Sequence, residues 1–187
     1  MNGRIVDMTL HGICLAAIML LGAQTAAADP AIGRQLVVFD IDGTLTPHNL
    51  FVREARPGAA EVVATYVAQG YHVIYLTTRI PSFQSGLSAW LARHGFPAAP
   101  LHVAQSREER RDPVAFKAKV LEEYAQSGWQ LAWAYGDSPT DFAAYARAGI
   151  PKERVFALRR RFAPACADGV YQACLDGWLE HRHLLRQ

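Results

Sequence analysis

Cysteine is scarce in this sequence, which limits both disulfide and metal chemistry. Three cysteines occur among 187 residues, and Cys14 lies in an apolar run near the amino terminus. Cys166 and Cys174 have no histidine or cysteine neighbours at zinc spacing, which excludes a zinc site around them. They predict either a disulfide that fastens the carboxyl-terminal tail, worth roughly 2–3 kcal/mol from its loop length, or two buried thiols.

A strong excess of charge and long apolar runs are also missing. The formal net charge is +2, so electrostatics give no reason to expect a nucleic-acid partner. The apolar run at residues 13–22 is too short to span a bilayer comfortably, and the small residues that follow it fit a signal cleavage site. Residues 1–28 are therefore predicted to be a secretory signal, with an uncleaved anchor as the alternative. This predicts a secreted protein, located in the periplasm if the source is bacterial.

Apolar strand patterns alternate with helical patterns in the remaining chain, residues 29–187, which we interpret as one domain with a core at 35–160. The predicted strands are 36–39, 71–76, 101–103, 130–135 and 154–158, and the predicted helices between them are 59–69, 81–95, 113–125 and 139–148. This alternation predicts an α/β fold: a Rossmann-like, doubly wound, mainly parallel five-stranded sheet with helices on both faces. The tail, residues 165–187, is predicted to be helical, with Leu175, Trp178 and Leu179 facing the body of the protein.

Functional side chains follow the predicted strands at one edge of the sheet. Asp40 and Asp42 come directly after the first strand, and Thr77 ends the second. Lys117 lies early in the helix after the third strand, and Asp137 follows the fourth. The carboxyl ends of parallel strands meet at one edge, where ligands bind in such folds. An isolated Asp-x-Asp is more often a turn, but four stretches that meet at one edge predict a common site.

These residue types suit phosphoryl transfer to a carboxylate. Asp40 is the candidate nucleophile on phosphorus, and Asp42 the candidate acid and base for the leaving oxygen and the attacking water. Lys117 would balance charge, while Thr77 would hold phosphate oxygens. A Mg²⁺ ion needs few protein ligands, and Asp40, Asp137 and the main-chain oxygen of Ile41 or Asp42 supply them.

Four segments resemble, in order, the four motifs of the haloacid dehalogenase (HAD) superfamily. These are residues 40–46 (DIDGTLT), residues 76–79 (LTTR), the Lys117 region and residues 136–141 (GDSPTD). The resemblance implies the same roles for the residues above and adds Asp141 as a second acid that helps to hold the metal or orient the lysine. A second acid at Asp42 favours a phosphatase over a dehalogenase, because carbon–halogen cleavage has no leaving oxygen to protonate.

Finer details are similar to the lipin-type branch, whose members act on phosphatidate. Phe116 before Lys117 resembles that branch and favours Lys117 over Lys119 as the third-motif lysine. The fourth motif departs from it, with Asp137-Ser138 where lipin-type enzymes commonly have Asn-Arg. The short intervals between motifs leave no room for a cap domain. In this superfamily the resemblance then implies a large or surface-bound substrate, or self-association that covers the site.

Further candidate residues surround the motifs. Gly43, Thr44 and Thr78 are candidate substrate-binding residues. His48 lies in a predicted lid at residues 47–56, where it contacts the leaving group or is simply solvated. Arg79 contacts a substrate headgroup or forms an ion pair within the fold.

The arginine run at residues 159–161 should emerge at the active edge of the sheet. It would meet anionic lipid headgroups or remain a solvated loop. The overall prediction is a Mg²⁺-dependent phosphomonoester hydrolase with an aspartyl-phosphate intermediate, acting on phosphatidate or another lipid or large phosphomonoester. The alternative is a non-catalytic phospholipid-binding module of lipin-like fold.

Overall fold

The computed structural model describes residues 34–184, which form one sheet of six parallel strands with helices on both faces. The strands are β1 (Gln35–Asp40), β2 (His72–Thr77), β3 (Leu101–Val103), β4 (Gln130–Gly136), β5 (Val155–Leu158) and β6 (Ala173–Leu175). The helices are α1 (Ala59–Ala68), α2 (Leu87–Arg93), α3 (Arg107–Arg111), α4 (Pro113–Gln126), α5 (Pro139–Arg147) and α6 (Trp178–Leu184). The predicted signal, residues 1–28, lies outside the described residues.

The order of the strands explains where a ligand can bind. The order is β3-β2-β1-β4-β5-β6, so the chain first moves outward from β1 and then returns to the other side of β1 at β4. This reversal opens a crevice at the carboxyl ends of β1 and β4. Phe39 pairs with Tyr135 in the ladder, so Asp40 and the residues after Gly136 lie at the mouth of that crevice.

The near-continuous apolar sequence of β1 is explained by burial on both sides. Val37 and Phe39 belong to one hydrophobic cluster, which includes side chains of α1, α2 and α6. Leu36 and Val38 belong to a second cluster on the opposite face, with side chains of α4 and α5. A parallel strand covered on both faces needs apolar residues at every position, and β1 has them.

The predicted α/β architecture is confirmed, and the carboxyl-terminal part differs from the prediction. The described part of the predicted helical tail, residues 165–184, does not form one helix: a short strand, β6, extends the sheet from five strands to six before α6 begins. Trp178 is fully buried as predicted, whereas Leu179 is 49% exposed and does not face the core. Cys166 and Cys174 are joined by a disulfide that links β6 to the loop before it.

Two further features of the described range bear on the prediction. The helix expected from residue 81 begins with a 3₁₀ turn at Pro81–Phe83, and α2 itself starts only at Leu87. No helix within residues 34–184 has both the length and the hydropathy that a membrane crossing requires.

Candidate active site

A buried lysine joins two of the predicted acids. Lys117, on α4, places Nζ 2.5 Å from Oδ1 of Asp40 and 2.5 Å from Oδ1 of Asp141. All three side chains are almost completely buried. The alternative third-motif residue, Lys119, lies on the solvent side of the helix with its side chain 70% exposed. The structure therefore places Lys117 beside the candidate nucleophile.

Asp141 is fixed by the first turn of α5. Ser138 caps the helix, and its side chain accepts a hydrogen bond from the Asp141 N–H. In return, Oδ2 of Asp141 accepts hydrogen bonds from the Ser138 N–H and hydroxyl and from the Asp137 N–H. This capping box uses one carboxylate oxygen and leaves the other for Lys117.

Asp137 lies on the other side of the crevice from Asp42. Its Oδ2 accepts a hydrogen bond from Nε of Arg160, in the loop after β5. Gly43 has a φ of +85°, and a Cβ built there would overlap Oδ2 of Asp137. Glycine is therefore required at this position both by the backbone conformation and by the close approach of the carboxylate.

Asp42 turns toward β2, where two of the predicted site residues hold it. The Thr77 hydroxyl donates to Oδ2 of Asp42 at 2.8 Å. Arg79 donates from Nε and Nη2 to the same carboxylate, at 3.0 Å and 2.7 Å from Oδ1. Of the two alternatives for Arg79, the structure shows the ion pair within the fold.

Oxygen atoms of Asp40, Asp137 and Asp141 converge in a way that suits a cation. One ligand atom from each lies within 4.8 Å of the others, and all three residues are buried. Oδ2 of Asp40 is buried without a hydrogen-bond partner. The Ile41 carbonyl already accepts from the Leu45 and Thr46 N–H groups, which leaves the Asp42 carbonyl as the more available main-chain oxygen.

The electrostatics of the cluster also indicate a shortage of positive charge. Burial, reinforced by the Asp141 carboxylate, raises the pKa of Asp40 well above its usual value despite the nearby lysine. Burial raises the pKa of Asp137 to about 6, against the opposing effect of Arg160. Burial alone would lower the pKa of Lys117, but the two adjacent carboxylates raise it. The donor set therefore fits a divalent cation bound to oxygen.

Other predicted substrate-binding residues are less available than expected. The Gly43 N–H donates to the Thr46 hydroxyl at 2.8 Å and so is not a free donor. The His48 imidazole accepts from the Leu50 N–H and packs edge-on against Phe51, within its own loop. Thr44 is fully buried, and its hydroxyl lacks a hydrogen-bond partner. Thr78 is half-buried.

Two arginines organise the site in a way that the sequence did not reveal. Arg56 is buried, and its guanidinium donates to the carbonyls of Gly43, Thr46 and Arg159. It thereby ties the loop after β1 to the loop after β5. Arg160 was predicted only as part of a charged run, and its pairing with Asp137 depends on a loop path that sequence patterns do not specify.

Similar solved structures define the class of fold. A putative HAD-like phosphatase from Mesorhizobium loti is 16% identical, with a TM-score of 0.58 over 81% of this chain and 83% of that chain. The cobalt-bound deoxy-D-mannose-octulosonate 8-phosphate phosphatase from Haemophilus influenzae is 15% identical, with a TM-score of 0.53 over 82% of this chain and 87% of that one. The fold is therefore HAD-like, as predicted.

The sequence comparisons identify the family. Residues 37–159 match the model described as PITM 1-3, LNS2 domain, so the chain belongs to the LNS2 family. Human membrane-associated phosphatidylinositol transfer protein 1 is 30% identical over 155 residues, which cover 81% of this chain and 12% of that protein. Mouse phosphatidate phosphatase LPIN3 is 25% identical over 152 residues, covering 68% of this chain and 18% of that protein. The chain thus spans less than a fifth of these relatives' length, and the predicted similarity to the lipin-type branch is confirmed.

Proposed function

We propose that this protein is a Mg²⁺-dependent phosphomonoester hydrolase that works through an aspartyl-phosphate. The observation that carries the proposal is the free, buried Oδ2 of Asp40, whose other oxygen is held by Lys117 at 2.5 Å. A carboxylate fixed at one oxygen and unpartnered at the other is oriented to attack phosphorus. The convergence of Asp137 and Asp141 on Asp40 supports the cation requirement.

Different residues of the chain act in the two proposed steps, formation and hydrolysis of the aspartyl-phosphate. Asp40 attacks phosphorus while the bond to the leaving oxygen breaks, and Asp42 gives that oxygen a proton. Asp42 then takes a proton from the water that displaces Asp40 from phosphorus. Thr77 and Arg79 keep Asp42 oriented, and Lys117 offsets the negative charge that accumulates around Asp40. Mg²⁺, held by Asp40 and Asp137 with the Asp42 carbonyl, would supply electrostatic stabilisation of the phosphoryl oxygens.

A lipid surface is the proposed location of the substrate. Several large apolar side chains are strongly exposed on loops at the active edge of the sheet, namely Leu50 (79%), Ile80 (52%), Phe83 (51%) and Phe162 (83%). The arginines at 159–161 follow β5 at the same edge, but each is paired with an acidic side chain, so the exposed apolar groups carry the proposal of a membrane surface. Relatives named as membrane-associated, together with the lipin relative, support a phospholipid partner. We extend the proposal to a secreted, periplasmic location, which the Cys166–Cys174 disulfide supports.

The second candidate is a phospholipid-binding module without catalysis. Arg79 pairs with Asp42 and Arg160 pairs with Asp137, so both acids are neutralised by the protein itself. A site that only binds a phosphate headgroup would keep both of these ion pairs, because neither acid would need to react.

Phosphate release separates the two candidates. Purified protein would be assayed with Mg²⁺ or with EDTA on 4-nitrophenyl phosphate and on phosphatidate in mixed micelles. We expect metal-dependent release that Asp40→Asn abolishes and that the exposed control Asp168→Asn leaves intact. Folded protein that floats with phosphatidate vesicles, but releases no phosphate with Mg²⁺, would establish the binding module instead.

Binding of the cation can be measured without turnover. Mg²⁺ should raise the thermal midpoint of the wild-type protein, because a ligand that binds only the folded state stabilises it. Asp137→Asn should reduce this shift, and Asp168→Asn should not. An equal shift in all three proteins would contradict the proposed cation site.

A further inference from the structure

A groove of about 560 Å³ opens between the loop after β1 and helix α2, and its lining includes Arg79, the ion-pair partner of Asp42. We call it the arginine groove, because its lining includes Arg53, Arg79 and Arg93. Among the described residues, no aspartate or glutamate lines it. Trp90, which is almost completely buried, is also one of the lining residues.

Arg79 connects the groove to the proposed chemistry. Its Nε and Nη2 atoms bind Asp42, which leaves Nη1 for another acceptor. Asp42 is the group that would protonate the leaving oxygen, so the leaving alcohol must lie next to this carboxylate. The arginine groove is therefore in position to receive the rest of the alcohol.

The groove carries positive charge that the fold does not use. The charge of Arg79 is offset by Asp42 at 2.7 Å. Arg53 and Arg93 are exposed, and neither has an ion-pair partner among residues 34–184. Other loop arginines differ in this respect: Arg159 pairs with Asp176, and Arg161 pairs with Glu54.

The walls of the groove are fixed by partly buried hydrogen bonds. The Trp90 indole N–H donates to the Arg53 carbonyl at 2.9 Å and so holds the loop after β1 against α2. The Gln84 amide donates to the carbonyls of Arg79 and Ala104, which holds the loop after β2. A preformed groove loses little conformational entropy when it binds a ligand.

We propose that the arginine groove binds an anionic group on the leaving alcohol. This inference rests on the proposed phosphatase function and defines its substrate class: phosphomonoesters whose alcohol carries a second anion, such as a carboxylate or a phosphodiester. Charge-assisted hydrogen bonds from Arg53 and Arg93 would recognise that anion. Phosphatidate, whose leaving alcohol is uncharged, would be a poorer substrate than a lipid with a phosphomonoester on a phosphodiester-linked headgroup.

The test compares two substrates of similar shape that differ in charge, 4-carboxyphenyl phosphate and 4-carbamoylphenyl phosphate. In the wild-type protein we expect kcat/KM to be about tenfold higher for 4-carboxyphenyl phosphate, because its carboxylate would form charge-assisted hydrogen bonds with the two arginines. In Arg53→Gln/Arg93→Gln the ratio should fall toward one. The control Lys119→Gln/Lys152→Gln, which removes two exposed lysine charges elsewhere, should keep the wild-type ratio. An equal kcat/KM for the two esters in the wild-type protein would overturn the proposal.

A lipid pair identifies the source of the anion. Dihexanoyl phosphatidylinositol 4-phosphate and dihexanoyl phosphatidate would be compared below and above the micelle concentration. A preference for the inositol lipid that the double arginine variant loses assigns the groove to a lipid headgroup. If 4-carboxyphenyl phosphate is preferred over 4-carbamoylphenyl phosphate but the two lipids react alike, the groove is assigned to soluble substrates with a second anion.

Calorimetry keeps the test independent of turnover. Failure to hydrolyse every substrate would overturn the phosphatase proposal but not the groove. In that case 4-hydroxybenzoate should still bind the wild-type protein more tightly than 4-hydroxybenzamide, and the arginine variant should lose the difference. Equal binding of 4-hydroxybenzoate and 4-hydroxybenzamide to the wild-type protein would show that the groove does not bind an anion.

Discussion

Lys117 is the residue on which the charge balance of the site depends. Its ammonium lies between two buried carboxylates, those of Asp40 and Asp141. Replacing it with methionine would leave both acids buried without their cation. Breaking a buried ion pair in this way costs about 3–5 kcal/mol, so Lys117→Met should lower the free energy of unfolding by that amount in urea titrations. Lys119→Met, on the exposed side of the same helix, should change it by less than about 0.5 kcal/mol.

The comparison of the two lysines also tests the assignment of the third motif. A similar loss of stability in both variants would show that the position of Lys117 between the acids is not what stabilises the fold. A catalytic loss in Lys119→Met, with none in Lys117→Met, would contradict the proposed role of Lys117.

Gly43 allows the close approach of Asp137, so we expect Gly43→Ala to lower the free energy of unfolding by an unusually large amount for so small a change. Alanine at position 43 would adopt an unfavourable positive φ, and its Cβ would overlap Oδ2 of Asp137. Gly86 has a similar φ of +79° but nothing within 4 Å of a built Cβ. We therefore expect Gly86→Ala to cost about 1 kcal/mol, and Gly43→Ala to cost more and to weaken the Mg²⁺-induced thermal shift. Equal effects of the two substitutions on both measurements would contradict this interpretation.

At the level of single residues, the sequence predicted the acids better than their partners. Asp40 and Asp137 were predictable because buried parallel strands deliver the residues that follow them to one edge. Lys117 lies on a helix instead, and it was chosen over Lys119 because Phe116-Lys117 resembles the lipin-type branch. The pairing of Asp137 with Arg160 was not predictable, because it depends on the path of the loop after β5. The buried position of Arg56 was missed for the same reason, since its partners are main-chain carbonyls that no side-chain pattern reveals.

Among the elements, β6 is one that the apolar periodicity of the sequence did not predict. Ala173 and Leu175 are partly buried and Cys174 is exposed. A strand of three residues gives too few alternations to be distinguished from the end of a helix. The longer strands β1, β2 and β4 were predicted nearly to the residue, because each is an apolar run between clear turn signals. The pairing of β6 with β5 places α6 against α1, where Trp178 donates to the Thr44 carbonyl.

The disulfide is expected to hold β6 in the sheet. Cys166 and Cys174 are eight residues apart, and closing a loop of this length should contribute roughly 2–3 kcal/mol on the chain-entropy model. Cys166→Ser/Cys174→Ser should lower the free energy of unfolding by that amount in urea without reductant. Reduction of the wild-type protein should have the same effect, and the double serine variant should not respond to reductant. A response of the variant to reductant would assign the effect to something other than this disulfide.

At the scale of the whole molecule, a buried histidine couples the stability of the fold to pH. His181, on α6, is 2% exposed, and its Nε2 atom forms a hydrogen bond with the Tyr135 hydroxyl at 2.7 Å. Its ring packs against Phe156, and its Nδ1 atom is buried without a partner. Burial lowers the pKa of His181 from 6.5 to about 4. The folded protein therefore keeps this ring neutral at a pH where the unfolded chain would bind a proton.

The sign of the effect follows from that difference in proton binding. Above pH 6.5 neither state is protonated at this position, and the full stability is present. As the pH falls toward 4 the unfolded state gains a proton first, so His181 should remove about 3 kcal/mol of stability across that interval. The raised pKa of Asp137 acts in the opposite direction, because the folded state then binds the extra proton. The measurement must therefore compare variants rather than rely on the wild-type profile alone.

The comparison is between urea titrations of the wild type and His181→Gln from pH 8 to pH 4. Glutamine does not titrate, so the difference in unfolding free energy between the two proteins should shrink as the pH falls below 6.5, while the contribution of Asp137 is common to both. His94→Gln, which changes a histidine outside this cluster, serves as the matched control. A constant difference between wild type and His181→Gln over the whole range would show that the buried ring is not the source of the pH dependence.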